Sequence, residues 1–314
     1  MTAGLAKVNA MTPLRRGLDE LDEYIRFYTP QDIEKLESET YNYEPHKKAA
    51  LAVWSSSLKS DRCFLLLFGV PGSGKSEFTK SFARNLNEGN QEKTSLLEVQ
   101  CDELSTSTRS AKEIIDRLDH KSETALKNLP ALILFDEIDS LTSSIDNAGL
   151  HAAMLSRWVR TFVRRSPSKA LIIGTTNNPR KIDFSIVRRI RASIFFDVAP
   201  PEVVTKIIKT QSGRDDFEDV SRELFTRLET NDFVPIASDV VKACEEIHTR
   251  YGDLKNISKD DFCRHLEALT PGLENRIIQN FKEKNYNLVV RAEKQMKYWE
   301  EEFELQQQKM QTEN

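Results

Sequence analysis

Eight consecutive residues, Gly69-Val-Pro-Gly-Ser-Gly74-Lys75-Ser76, have the spacing G-x-x-x-x-G-K-S. Glycine at 69, 72 and 74 lets backbone amides turn inward and approach an anion with no Cβ in the way. Pro71 and Ser73 complete the loop between them. Lys75 offers a point charge to the β- and γ-phosphates of a nucleotide, and the Ser76 hydroxyl is a ligand for Mg²⁺. A helix opening near Lys75 aims its N-terminal amides at the same anion. Average composition yields this pattern by chance in about one chain in a hundred of this length. A buried strand before it and a helix after it separate it further from a merely structural turn.

A second group lies further along, at Leu132-Ile133-Leu134-Phe135-Asp136-Glu137. Four apolar residues predict a buried strand that delivers two carboxylates at its carboxyl end, where ligands bind in open α/β sheets. Asp136 would hold Mg²⁺ through its water shell, and Glu137 would orient and polarise the attacking water. Acidic residues after a strand also serve as helix caps. Beside a phosphate loop they read as the other half of one site.

The elements that must position these groups alternate. Short apolar runs at residues 63–68, 95–99, 131–135, 170–173 and 193–197 read as strands, with helical stretches at 75–86, 108–126, 150–165 and 183–189. That alternation predicts an α/β fold with a parallel sheet covered by helices on both faces. After Pro200-Pro201 the pattern is helical without strands, at 202–211, 220–228, 236–248 and 259–269. The chain therefore divides into an N-terminal helical extension (1–44), an α/β core (45–199), an all-helical lid subdomain (200–272) and a C-terminal helix and tail (273–314). Within the extension, helices are expected at 14–28 and 30–41. The core opens on an amphipathic helix at 45–58 with proline in its first turn. In the tail, Val289, Ala292, Met296, Trp299, Phe303, Gln306 and Met310 recur at alternating three- and four-residue steps. One side of that helix is mostly apolar and is expected to pack back on the lid, a coiled coil or partner-docking helix being the alternative.

Composition narrows the classes of function. The 314 residues suit about two domains. With 39% hydrophobic residues there is ample core material, which excludes a disordered chain. Lys+Arg 45 against Asp+Glu 49 leaves a net charge of −4, so the chain has no global electrostatic reason to sit on nucleic acid or anionic membrane. The longest apolar runs, 63–70 and 129–135, are too short to span a bilayer. The N-terminal stretch MTAGLAKVNAMTPLRRG has no apolar segment of an export signal. Cys63, Cys101, Cys244 and Cys263 are widely spaced, which reads as reduced thiols in the cytoplasm rather than a metal or disulfide framework. Arg157, Arg160, Arg164 and Arg165 recur on one helix, as a subunit interface or solvated face rather than a DNA-contacting ridge.

The ordered motifs resemble one family. Phe135-Asp-Glu-Ile-Asp-Ser-Leu141 is similar to the Walker B segment of the AAA ATPases, within the AAA+ superfamily. Leu171-Ile-Ile-Gly-Thr-Thr-Asn177-Asn-Pro179 resembles their sensor-1 strand and loop, which implies that Asn177 meets the γ-phosphate and water. Ile182-Asp183-Phe-Ser-Ile-Val-Arg188-Arg189 is similar to their second region of homology, which implies that Arg188 and Arg189 reach the neighbouring subunit's ATP, with Arg191 a third candidate. Ser238-Asp239-Val240 and the stretch from Asp261-Phe262 to Pro271 continue the likeness through the lid, so it covers roughly residues 45–272. The resemblance implies a P-loop NTPase fold and Mg²⁺-dependent ATP hydrolysis. It also implies a homo-oligomeric, hexameric ring that remodels a protein or complex through a client or adaptor, without a membrane. An arginine donated in trans is worth ~10³–10⁵ in rate in phosphate-loop enzymes.

Three departures qualify it. The stretch Asp102-Glu-Leu-Ser-Thr-Ser-Thr-Arg109 lacks the aromatic of threading members, which argues against processive unfolding. The 44 residues ahead of the core are few for a substrate-recruiting domain. Val234-Pro-Ile-Ala-Ser-Asp239 departs from the family's Gly-Ala-Asp pattern and yields no sensor-2 residue. The competing readings are a DNA-associated ATPase (a loader, transposition or defence factor) and a nucleotide-dependent scaffold with slow turnover.

Overall fold

Why the strands are almost uniformly apolar is plain once both faces of the sheet are seen to be covered. The computed structural model describes residues 20–36, 44–60, 63–89, 93–128, 130–142, 150–214, 218–252 and 257–312. The chain begins with α1 (Glu20–Tyr24), β1 (Ile25–Tyr28), α2 (Pro30–Glu34) and α3 (Glu44–Ser57). Next come β2 (Cys63–Gly69), α4 (Lys75–Gly89), β3 (Ser95–Gln100), α5 (Cys101–Thr106), α6 (Ala111–Lys127), β4 (Ala131–Asp136) and α7 (Asp139–Thr142). After α8 (Leu150–Arg165) and β5 (Ala170–Thr176), a single 3-10 turn leads to α9 (Phe184–Val187) and β6 (Ala192–Phe196). The helical part holds α10 (Pro201–Ser212), α11 (Glu218–Thr230), β7 (Phe233–Val234), α12 (Ala237–Tyr251), α13 (Lys259–Leu269) and β8 (Leu273–Glu274). Two helices close the chain, α14 (Asn275–Lys284) and α15 (Tyr286–Thr312).

The main sheet has the order β1-β3-β4-β5-β2-β6 and is parallel except at β1. Alternate residues of each strand enter opposite layers. Phe64, Leu66, Ile133, Phe135 and Ile172 meet Ile114, Leu118, Leu155 and Val159 of α6 and α8. Leu65, Leu67, Leu132, Leu134 and Ile173 meet Val53 of α3 and Phe78 and Phe82 of α4. A separate core built from α10 to α13 holds Val204, Ile208, Leu224, Val240, Phe262 and Leu266. The α/β fold with a helical lid thus matches the expectation. The antiparallel pair of two-residue strands β7 and β8 was too short to leave a pattern.

The N-terminal extension departs from its helical reading. The helix expected through residue 28 ends at Tyr24, and residues before 20 lie outside the described residues. Ile25–Tyr28 is instead a strand antiparallel to β3, with Ile25 opposite Val99. Without it the β3 edge would present unpaired amides and carbonyls, and Ile, Phe and Tyr suit a pleated surface. Tyr28 donates its hydroxyl to Glu98 at 2.9 Å, and Lys80 of α4 reaches the same buried carboxylate at 2.9 Å. Of the helix expected at 30–41, α2 forms behind a Thr29 capping box, and residues 37–41 lie outside the described residues.

The C-terminal helix also goes elsewhere than expected. Its apolar side is covered, but by the α/β core and not by the lid. Val289 and Ala292 are buried with one layer, and Met296 and Trp299 pack on the other. The helix runs along β6, whose outer edge has no strand partner among the described residues, and Ser193 donates its backbone N–H to Gln295 Oε1 at 3.1 Å. An amphipathic face is satisfied by whichever apolar surface lies within reach, and here that is the β6 edge. Met310 continues the same row, but its side chain lies outside the described residues. No helix among the described residues is long and apolar enough to cross a membrane.

Candidate functional site

The phosphate loop leaves the sheet from β2, flanked by β5 and β6, so its anchor is buried on both sides. Gly69 is required for a reason other than the anion: a Cβ there would lie 1.9 Å from the Phe196 carbonyl oxygen of β6. Gly72 and Gly74 do turn the loop through left-handed backbone, with φ of +71° and +86°. A Cβ on Gly72 would meet Ser238 Oγ at 2.4 Å, and Ser238 donates its N–H to the Gly72 carbonyl at 3.3 Å. The lid helix α12 therefore rests directly on the loop. Pro71 is exposed at the loop's outer side.

Lys75 is only 6% exposed. Its Nζ donates to the carbonyls of Val70 (2.9 Å) and Gly69 (3.3 Å), to Ser73 Oγ (3.3 Å) and to Asn177 Oδ1 (2.7 Å). All four oxygens are neutral, so the lysine is held without its charge being neutralised by direct contact. Burial pushes its pKa down to about 8, against the pull of Asp136, Glu137 and Asp139.

Both carboxylates stand at the end of β4. Asp136 Oδ1 accepts from the hydroxyls of Ser76 and Thr175. Glu137 sits in left-handed backbone at φ +52°, donates its N–H to Thr175 Oγ1 at 3.0 Å, and accepts at Oε1 from Asn177 Nδ2 at 3.1 Å. Burial first, then the negative charges of Asp102, Asp136 and Asp139, hold the Glu137 pKa above the usual carboxylate range. Asn177 thus links Lys75 to Glu137 through its two amide atoms.

These groups line one end of a cleft of about 480 Å³ between core and lid. Gly72, Gly74, Lys75, Ser76, Asp136, Glu137 and Asn177 line it, whereas Gly69, Pro71 and Ser73 do not. The other end is apolar, with Val203 and Ile207 of α10 and Val241 of α12, next to Lys242 and Glu245. Such a size and mixture suit a small ligand with a polar and an apolar end.

The arginines stand apart from the cleft. Arg188 is exposed and lies over the exposed Phe184 ring at 5.3 Å, while Arg189 Nη1 donates to the Ser185 carbonyl. The helix expected at 183–189 is shorter, so both arginines occupy the turn after α9. Arg191 donates to Ser60 Oγ at 3.0 Å and lies 5.7 Å from the Trp299 ring. On α8, Arg160 pairs with Asp183 at 3.4 Å while Arg157, Arg164 and Arg165 are exposed. The four cysteines are buried and free.

Sequence reasoning gave no role in the site to Thr175, Ser238, Lys242, Asp102 or Asp139. Asp139 accepts from Thr176 Oγ1 at 2.6 Å, and Asp102, in the first turn of α5, lies close enough to raise the Glu137 pKa. Two consecutive threonines at the end of a strand, one residue before Asn177, were the available signal.

The family model for "ATPase family associated with various cellular activities (AAA)" matches residues 65–198. Vacuolar protein sorting-associated protein 4B of Pongo abelii is 29% identical over 156 residues, which cover 48% of this chain and 33% of that protein. The probable spastin homolog spas-1 of Caenorhabditis briggsae is 25% identical over 243 residues, 71% of this chain and 43% of that protein. This chain therefore spans less than half the length of these curated relatives. A solved structure described as "Structural Basis for Katanin Self-Assembly" superposes with a TM-score of 0.60 at 19% identity, over 84% of this chain and 94% of the other. At that identity the likeness establishes the fold.

Proposed function

This chain belongs to the AAA family of ATPases, and from that premise we propose that it hydrolyses ATP, with Mg²⁺, in the cleft between core and lid. One observation carries the reading: Lys75, Asn177 and Glu137 are joined by hydrogen bonds at the carboxyl ends of β2, β4 and β5, with Ser76 and Asp136 in contact beside them. Ser76 and Asp136 form an oxygen-only donor set, which suits Mg²⁺. Held there, Mg²⁺ would offset the charge that develops on the γ-phosphoryl group of ATP. Lys75, held by neutral oxygens, keeps its charge for phosphate and exchanges Asn177 for it. Asn177 orients the γ-phosphate and water, and Glu137 takes the water's proton as its raised pKa favours. The apolar end formed by Val203, Ile207 and Val241 receives the base.

We extend the proposal to assembly: a homo-oligomeric ring, hexameric, in which Arg188 or Arg189 meets the neighbouring subunit's nucleotide. Their place outside their own cleft supports this, as do the self-assembly named for katanin and the exposed Arg188–Phe184 pair. The ring would couple hydrolysis to remodelling of a protein client, directly or through an adaptor. Four free buried thiols support a cytoplasmic setting.

The test is ATP turnover per subunit across a wide range of protein concentration, beside Arg188→Ala, Arg189→Ala, Lys75→Ala and Glu137→Gln. Turnover that climbs with concentration and collapses in Arg189→Ala supports shared sites. Lys75→Ala should abolish nucleotide binding. Turnover flat in concentration and indifferent to both arginines would remove the ring from the proposal.

A further inference from the structure

We infer that Thr175 is a positioning residue that sets the geometry of both carboxylates of the site, a reading that rests on the ATPase proposal above. The ladder between β4 and β5 stops at Phe135 opposite Gly174, so the next three residues of the β4 strand end must find partners elsewhere. Thr175 of β5 contacts each of the three, beside the pairing of Asp136 with Gln100 of β3 and its bond from Ser76. Thr175 Oγ1 donates to Asp136 Oδ1 and accepts the Glu137 N–H at 3.0 Å, while the Thr175 carbonyl accepts the Ile138 N–H at 2.9 Å.

A hydroxyl is the only small side-chain group that can do both jobs, because it carries one proton to give and lone pairs to receive. Thr175 is 1% exposed. Each bond has a separate consequence. The donated proton, together with that of Ser76, goes to one oxygen of Asp136 and fixes the rotation of that carboxylate. The accepted N–H belongs to Glu137, whose φ of +52° is unfavourable for a residue with a Cβ and persists only where its surroundings impose it. Losing the hydroxyl would orphan that amide and release the backbone that aims the Glu137 side chain at Asn177.

The experiment compares T175V, which keeps shape and loses the hydroxyl, with T175S, which restores it. The full chain is used, with three readouts. In T175V, hydrogen exchange of the peptide spanning residues 136–138 should rise. Fluorescent ADP should bind in EDTA within about twofold of the parent, whereas the tightening produced by added Mg²⁺ should be lost. Turnover at saturating ATP should fall about ten- to a hundredfold, the range expected for a hydrogen bond to a charged group. T175S should recover all three. Wild-type exchange and wild-type Mg²⁺ response in T175V would overturn the assignment, and so would a T175S protein as impaired as T175V, which would point to packing alone. The exchange readout needs no nucleotide, so it judges Thr175 even if the parent protein proves unable to turn over ATP, a result that would sink the ATPase reading instead.

Discussion

The carboxyl end of the main sheet and its two lateral edges are held by opposite means. At the carboxyl end unfavourable features are gathered: a buried lysine, the neighbouring carboxylates of Asp102, Asp136, Glu137 and Asp139, and left-handed backbone at Glu137. At the edges such features are removed. Strand β1 pairs the free side of β3, and α15 covers β6 and takes up the Ser193 amide. The family match spans 65–198, whereas β1 and α15 both lie outside it. The reacting groups thus sit inside the stretch the family model matches, and the segments that close its sheet lie on either side of that stretch. Strain at a functional site persists only where the surrounding structure over-determines it, and here the edge segments stabilise the sheet that does so.

That contrast predicts that changes at the two places separate activity from stability. The largest effect belongs to the carboxyl end: Glu137→Gln should lower turnover by about 10²–10⁴, the contribution of a positioned general base. Its thermal midpoint and nucleotide affinity should stay close to the parent's; a protein that unfolds would break the contrast. Next is Ala292→Glu, which places a carboxylate where α15 is fully buried in the core. Loss of about 3 kcal/mol or more is expected on denaturant titration. At low temperature the folded fraction should keep its Mg²⁺-dependent nucleotide binding.

A smaller effect attends the other edge. Asp22 lies 3.0 Å from Lys121 and 3.3 Å from Arg117, tying α1 to α6. Asp22→Asn should cost about 0.5–1 kcal/mol at low salt and nothing measurable in 1 M salt. The smallest is a pH effect. Burial beside Phe78 and Phe196 holds the His46 pKa below its ordinary value of 6.5, although its bond to the Phe195 carbonyl opposes the shift. The folded state therefore disfavours the imidazolium. Stability should be full above about pH 6.5 and decline as pH falls from there through the folded pKa, because the unfolded chain takes the proton more readily. Melting curves of His46→Gln should show a shallower decline over that window.

Lys75, Ser76, Asp136, Glu137 and Asn177 were legible in the sequence because their chemistry demands particular residue types at fixed positions around strand ends. Helical periodicity likewise marked the lid helices and the covered side of α15. What periodicity could not carry was the destination of that side. Ile25–Tyr28 looked like the end of a helix because its partner strand begins 70 residues later, at Ser95. Gly69 was read as a phosphate-loop glycine, yet its need for a bare Cα comes from the Phe196 carbonyl. Thr175 looked like an ordinary strand residue, since threonine favours strands wherever it points.

Side-chain chemistry and spacing along the chain dictated the reacting groups and the local elements that present them, and both can be followed residue by residue in the sequence. Packing in three dimensions settled which distant segments would close the two sheet edges and which hydroxyl would hold Asp136 and Glu137. Those outcomes depend on which unsatisfied backbone and carboxylate atoms meet in space, and no local pattern records such a meeting.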